Sequence, residues 1–139
     1  MKKREPISKI MTSDLLTVNL TNSLLDVKDI FEKNKVRHIP VVSGSKIIGL
    51  VSKTDFYRIT YNLGDETSKD QINSAILSSN TIEDVMTKNL ETVKATETIQ
   101  DVAQMLVERE FHAVPVVDGD TLKGIVTTTD IIKYLLEQY

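Results

Sequence analysis

Arg37-His38-Ile39-Pro40-Val41-Val42-Ser43-Gly44-Ser45-Lys46, followed closely by Gly49-Leu50-Val51-Ser52-Lys53-Thr54-Asp55, decides the fold of this chain. His38 to Val42 is rich in β-branched residues and reads as a strand, whose proline favours an edge or a strand start. Ser43-Gly44-Ser45 reads as a tight hairpin turn and Lys46 to Ser52 as the return strand. Thr54 or Asp55 then offers a cap for a helix running to about Tyr61. Working outward, Thr17-Val18 is a short extended piece. Ser23, with Asp26 three residues on, resembles a capping box. It opens a helix whose apolar face is Leu24, Val27, Ile30 and Phe31, with Lys28, Glu32 and Lys33 on the wet side.

This β-α-β-β-α order is written a second time. Ile7 to Arg58 recurs as Ile82 to Lys133 at a constant offset of 75 residues, without a gap. Met11-Thr12 returns as Met86-Thr87, Pro40-Val41-Val42 as Pro115-Val116-Val117, Gly49 as Gly124, and Thr54-Asp55 as Thr129-Asp130. A match of that length points to duplication. In the second copy Ile99, Val102, Ala103 and Leu106 form the helical face, and Asp118-Gly119-Asp120 is the clearer hairpin turn. A last helix is expected from Ile131 to Gln138. The sequence thus divides into repeat 1 (1–61), a linker or short helical insert (62–80) and repeat 2 (81–139). Each copy alone is too small to bury a comfortable core, so the two are expected to share one.

The 139 residues carry 40% hydrophobic and 27% charged residues and a net charge of −3, which suits a soluble globular protein. That charge argues against phosphate-neutralising nucleic-acid binding. No apolar run approaches the ~20 residues of a membrane span, and Lys2-Lys3-Arg4 leads into Glu5-Pro6 instead of a secretory signal. With no cysteine there is neither a disulfide nor a thiolate metal site, which fits a cytoplasmic location.

Three features carry possible chemistry. At Gly49 to Asp55 and Gly124 to Asp130 a strand runs into a helix start, placing hydroxyls and a carboxylate beside free N–H groups. Such a corner suits an anion, or a carboxylate grip on ribose hydroxyls; helix capping by Thr and Asp is the simpler reading of the same residues. The mid-strand glycines admit close approach of a ligand or of another backbone. Second, Arg37-His38-Ile39-Pro40 and His112-Ala113-Val114-Pro115 put cationic or protonatable groups at a strand mouth, suited to phosphate, or else form a solvated loop. Third, Met11-Thr12 with Leu15 to Val18, and Met86-Thr87 with Leu90 to Val93, line either a slot for a flat base or the edge of the core. There is no nucleophile elbow, no third partner for a histidine and no clustered metal-ligand set, so neither a catalytic residue nor a metal site is expected.

In order and spacing these residues resemble a tandem pair of CBS domains, the Bateman module: a Met-Thr opening, a Thr-Val strand, an amphipathic helix, a Pro-Val-Val strand and a closing Gly-x-x-Thr-x-x-Asp. Ser43 departs from the family's acid and Ser52 from its threonine. The resemblance implies a mixed α/β (α+β) fold, with two pseudo-twofold-related repeats packed sheet to sheet. It implies a stand-alone, non-enzymatic regulatory module binding AMP, ADP, ATP or S-adenosylmethionine in clefts between the repeats, with no required cofactor. By the same resemblance Asp55 and Asp130 would hold ribose. Ser52 and Thr127 would lie near ribose and phosphate, with Thr54 and Thr129 beside them. Arg37, His38 and His112 would face phosphate; Ala113 stands opposite His38 in the alignment. Leu16, Thr17, Ile39, Leu50, Glu91, Thr92, Val114 and Ile125 would hold the adenine, bordered by Thr12, Thr87, Pro40 and Pro115. A homodimer formed through the helices, a flat disc, is the implied assembly, with an effector protein as possible listener. The competing reading is a ligand-free interaction module whose dimer surfaces carry the function.

Overall fold

A computed structural model describes residues 4–62 and 80–139. The expected insert falls almost wholly outside the described residues. The elements are α1 (Leu24–Lys33), β1 (His38–Ser43), β2 (Lys46–Ser52), α2 (Lys53–Asn62), α3 (Ile82–Val85), β3 (Val93–Lys94), α4 (Ile99–Arg109), β4 (Ala113–Asp118), β5 (Thr121–Thr127) and α5 (Thr128–Glu137), with a 3-10 turn at Ile7–Lys9. The fold is mixed α+β, as the sequence implies.

The compact units do not follow the sequence repeats. One unit is Leu16–Asn89; the other joins Met1–Leu15 to Leu90–Tyr139. Each therefore takes its strands and its two long helices from one repeat and its Met-Thr opening from the other.

In the first unit, β1 and β2 pair antiparallel from His38↔Ser52 to Ser43↔Lys46, with a bulge between Val41 and Val42. Gly44 makes the turn at φ +63°, a left-handed conformation that glycine adopts without a Cβ penalty. Val18 adds a parallel bridge to Val41. Helix α1 opens as the sequence suggests: Ser23 Oγ accepts from the Asp26 N–H and the Asp26 carboxylate accepts from the Ser23 N–H. That backbone N–H, with Asn22, holds the Asp26 carboxyl below the usual carboxylate range. The core gathers Leu24, Val27, Phe31, Ile39, Val41, Val51, Phe56, Ile82 and Val85.

The second unit repeats this construction. β4 and β5 pair from Ala113↔Thr127 to Asp118↔Thr121, with a bulge between Val116 and Val117. β3 lies parallel to β4. Pro115 thus sits inside a strand flanked on both sides, neither at an edge nor at a strand start. Its missing N–H is tolerated because β3 begins to pair only at Val93↔Val116, one residue later. The N-terminal segment is tied in by Ile7 N–H to Glu97 O (2.7 Å), Ile99 N–H to Glu5 O (2.8 Å) and a Tyr134 hydroxyl that donates to Glu5. That carboxylate partner raises the Tyr134 phenol above its ordinary value. Ile7, Val93, Ile99, Val102, Leu106, Val114, Val116, Val126 and Tyr134 form this core.

The helices after each hairpin start two or three residues earlier than a cap at Thr54 or Asp55, or a start at Ile131, would place them. Ser52 Oγ accepts the Asp55 N–H at 3.0 Å, and Thr127 Oγ1 the Asp130 N–H at 3.2 Å. The last paired strand residue is therefore also the cap, and the aspartates occupy the third helical position. Helix α5 accordingly runs from Thr128 to Glu137 instead of Ile131 to Gln138.

Candidate functional site

Each unit gathers its candidate residues at one end of its own strands. In the first unit, the Lys53 N–H donates to Arg37 O at 2.7 Å, closing β2 and α2 onto the residue that precedes β1. His38 stands opposite Ser52. The Val18 N–H donates to Pro40 O (3.1 Å), which brings Leu16 and Thr17 to the same end of the parallel pair. Leu50 and Thr87 exchange N–H···O bonds of 3.1 and 2.9 Å. Eleven of the expected residues, ten from Leu16 to Asp55 together with Thr87, thus belong to one local assembly.

The second unit builds the equivalent corner. The Thr128 N–H donates to His112 O at 3.0 Å, and Ala113 pairs with Thr127. Glu91 and Thr92 lead into β3, parallel to β4 and at the same end. Thr12 and Ile125 exchange N–H···O bonds, both 2.9 Å.

Exposure sorts these residues by what they can offer. Thr12, Leu16, Thr17, Arg37, Thr54, Thr87, Thr92, His112 and Thr129 are exposed; His38, Leu50, Ser52, Asp55, Glu91, Thr127 and Asp130 are half-buried. Ile39, Pro40, Ala113, Val114, Pro115 and Ile125 are buried, and Ile39 and Val114 lie in the cores. Their side chains serve packing, which leaves backbone atoms as what these positions can present.

The glycines have a local explanation. A Cβ on Gly124 would come within 2.8 Å of Thr12 O and of the Met11 sulfur, and one on Gly49 within 2.4 Å of the Met86 sulfur. The room they leave is filled by the Met-Thr segment, so both methionines pack against a strand backbone.

The two aspartates are held differently. Asp130 Oδ2 accepts from the Thr127 N–H (2.9 Å) and hydroxyl (3.1 Å), a full capping box. Asp55 Oδ1 instead pairs with Arg58 Nη2 at 3.0 Å. Arg58 is a partner that sequence reasoning missed, although its i,i+3 spacing from Asp55 was there to be read. So is Arg109, whose Nη1 lies 3.2 Å from Glu91 Oε1. Among the described residues no group of three His, Asp or Glu side chains is placed to hold a metal ion. No helix among them is long and apolar enough to cross a membrane.

The sequence profile of the CBS domain matches residues 7–61 and 82–137. The chain belongs to the CBS-domain family. As a CBS pair it superposes on CBSX2, a CBS-pair protein from Arabidopsis thaliana, with a TM-score of 0.81 at 25% identity over 96% of both chains. CBSX2 in complex with AMP gives 0.79 at 25% identity, covering 96% of this chain and 98% of that one. Among curated relatives, protein MJ1225 of Methanocaldococcus jannaschii is 28% identical over 136 residues, 95% of this chain and 48% of that protein. A homoserine O-acetyltransferase of Methanohalobium evestigatum is 31% identical over 135 residues, 96% of this chain and 24% of the enzyme. The CBS pair thus spans about half or less of those two relatives.

Proposed function

We propose that this CBS pair is a regulatory module that binds adenosine-containing ligands at its two strand-to-helix corners and works by binding alone. The observation that carries the reading is the corner itself. In each unit a half-buried aspartate at the third helical position sits beside a half-buried hydroxyl and a protonatable strand mouth. A carboxylate with one oxygen unengaged can accept from both hydroxyls of a ribose, and such charge-assisted bonds are the strong ones. Asp130 keeps Oδ1 and Asp55 keeps Oδ2 without a hydrogen-bond partner among the described residues. Support from outside the chain comes from the AMP complex of CBSX2.

Isothermal titration with AMP, ATP and S-adenosylmethionine tests the reading. At least one is expected to bind, and silence from all adenosyl compounds overturns it. Asp55→Ala should weaken ribose-dependent binding by about 10- to 100-fold with little loss of stability. Its capping hydroxyl is on Ser52, which the substitution leaves in place. Asp130→Ala should weaken binding similarly and also cost about 1 kcal/mol through the broken capping box. Parental affinity in both variants would remove the ribose assignment.

Association of two copies is the second part of the proposal. Helix α5 presents Ile132, Leu135 and Leu136, with Tyr139 one turn on; Leu136 is 66% exposed, and Val107 on α4 is 73% exposed. Residues at i, i+3, i+4 and i+7 make one stripe along a helix, an apolar face of the kind that pairs subunits. Leu136→Lys should convert a dimer to a monomer in sedimentation equilibrium. A parent that sediments as a monomer at tens of micromolar contradicts it.

A further inference from the structure

The corners differ in charge in a way that the duplication makes easy to compare. The first unit places Arg37 and Lys53 side by side, joined by a 2.7 Å backbone bond, and sets Arg58 against Asp55. His38 is paired with Ser52 across the strands. Three permanent cations therefore belong to the corner that carries Asp55, and one of them, Arg58, is in contact with its carboxylate. At the same alignment positions the second unit has His112, Thr128, Lys133 and Ala113, of which Lys133 alone is a permanent cation. It also places Glu91, bound to Arg109, where the first unit has the apolar Leu16.

We propose that the two corners divide adenosyl ligands by charge: the first takes a phosphorylated adenosine, and the second takes an adenosine derivative without phosphate. A phosphate monoester brings about −1.5 to −2 charges and three acceptor oxygens. At the first corner it meets a guanidinium and an ammonium with no ion pair among the described residues, Arg37 and Lys53. Desolvating it there is compensated by charge-assisted bonds. At the second corner Lys133 and the Arg109 already paired with Glu91 stand against the two carboxylates of Asp130 and Glu91, so no cation is left in excess for it, and an uncharged 5′ group loses nothing. The ribose grip is common to both; the phosphate end decides the partition.

This inference rests on the adenosyl reading above, and the experiment separates the two. Exchange variants swap residues that each repeat already accommodates at the same position, which protects the fold. Arg37→His with Lys53→Thr gives the first corner the second's residues; His112→Arg with Thr128→Lys does the reverse. AMP and adenosine are titrated into the parent and both double variants at two salt concentrations. The first double variant is expected to lose about 10- to 100-fold in AMP affinity, with adenosine binding changed less than about twofold. The reverse variant should gain a second equivalent of AMP. AMP binding to the parent should weaken with salt while adenosine binding does not. AMP affinity unchanged by the first exchange, or adenosine affinity falling in step with AMP, overturns the division by charge and leaves the adenosyl reading intact. Binding of neither AMP nor adenosine to the parent overturns the division and counts against that reading as well.

Discussion

Gly124→Val is expected to destabilise the protein by about 3 kcal/mol, an overpacking cost at the upper end of the usual range. A Cβ there would stand 2.8 Å from the carbonyl oxygen of Thr12 and 2.8 Å from the Met11 sulfur. The sulfur can turn away, but the oxygen cannot without losing its bond from the Ile125 N–H and the reciprocal bond from the Thr12 N–H. Pushing that segment outward also strains the buried anchor Ile7. Melting should therefore fall by on the order of 10 °C. Trypsin should cut after Lys9 faster than in the parent, because the segment detaches before the unit unfolds. Gly49 gives the internal comparison. The three atoms nearest its added Cβ would all belong to the flexible Met86 side chain, so Gly49→Ala should cost less than Gly124→Ala. Equal losses for that pair, or a Gly124→Val variant within 1 kcal/mol of the parent, would mean that the Met-Thr segment does not pack as described.

That contrast marks where the sequence stops being legible. The hairpins could be read from β-branched runs closed by Gly44 and Gly119, since these signals are local. The capping box at Ser23 and Asp26 was equally local, and it holds. The sequence puts the helix starts two or three residues late because Ser52, Thr54 and Asp55, like Thr127, Thr129 and Asp130, are closely spaced residues that can all cap. The choice is made by the strand: the ladder ends at His38↔Ser52 and at Ala113↔Thr127, leaving that residue's hydroxyl at the helix mouth. Nothing local could show that Met11 packs against Gly124, since the pairing spans most of the chain and exchanges segments between repeats. The same limit applies to the ligand-site expectations. Ile39 and Val114 lie in runs that are apolar at every position, where period-two alternation gives no clue to which face is the core. Arg58 was missed for a different reason. Its relation to Asp55 follows from helix register, but repeat alignment draws the eye to residues the copies share, and here the copies differ as arginine and lysine.

Phe56→Ala should be the most destabilising substitution in the first unit, at about 3–5 kcal/mol. The ring is 1% exposed. It lies 5.6 Å from the Phe31 ring and 5.3 Å from Tyr57, the latter edge to face at 78°. Truncation removes its share of the apolar burial and breaks both aromatic contacts, leaving a cavity that strands on one side and α1 on the other cannot collapse to fill. One turn on, Thr60 donates its hydroxyl back to Phe56 O at 2.9 Å, which adds a side-chain bond to the helix ladder in that turn of α2. Because Phe56 follows Asp55 directly, loosening α2 should also blur the aspartate's position. Ligand affinity at the first corner should fall even at temperatures where the variant stays folded. The second repeat supplies the control, since it carries Ile131 at the equivalent position. Phe56→Ile keeps most of the volume and should cost about 1.5 kcal/mol or less. Urea unfolding of the parent and both variants measures the ranking. A Phe56→Ala loss no larger than that of Phe56→Ile would show that this aromatic cluster is not what holds α2, and Asp55 with it, against the strands.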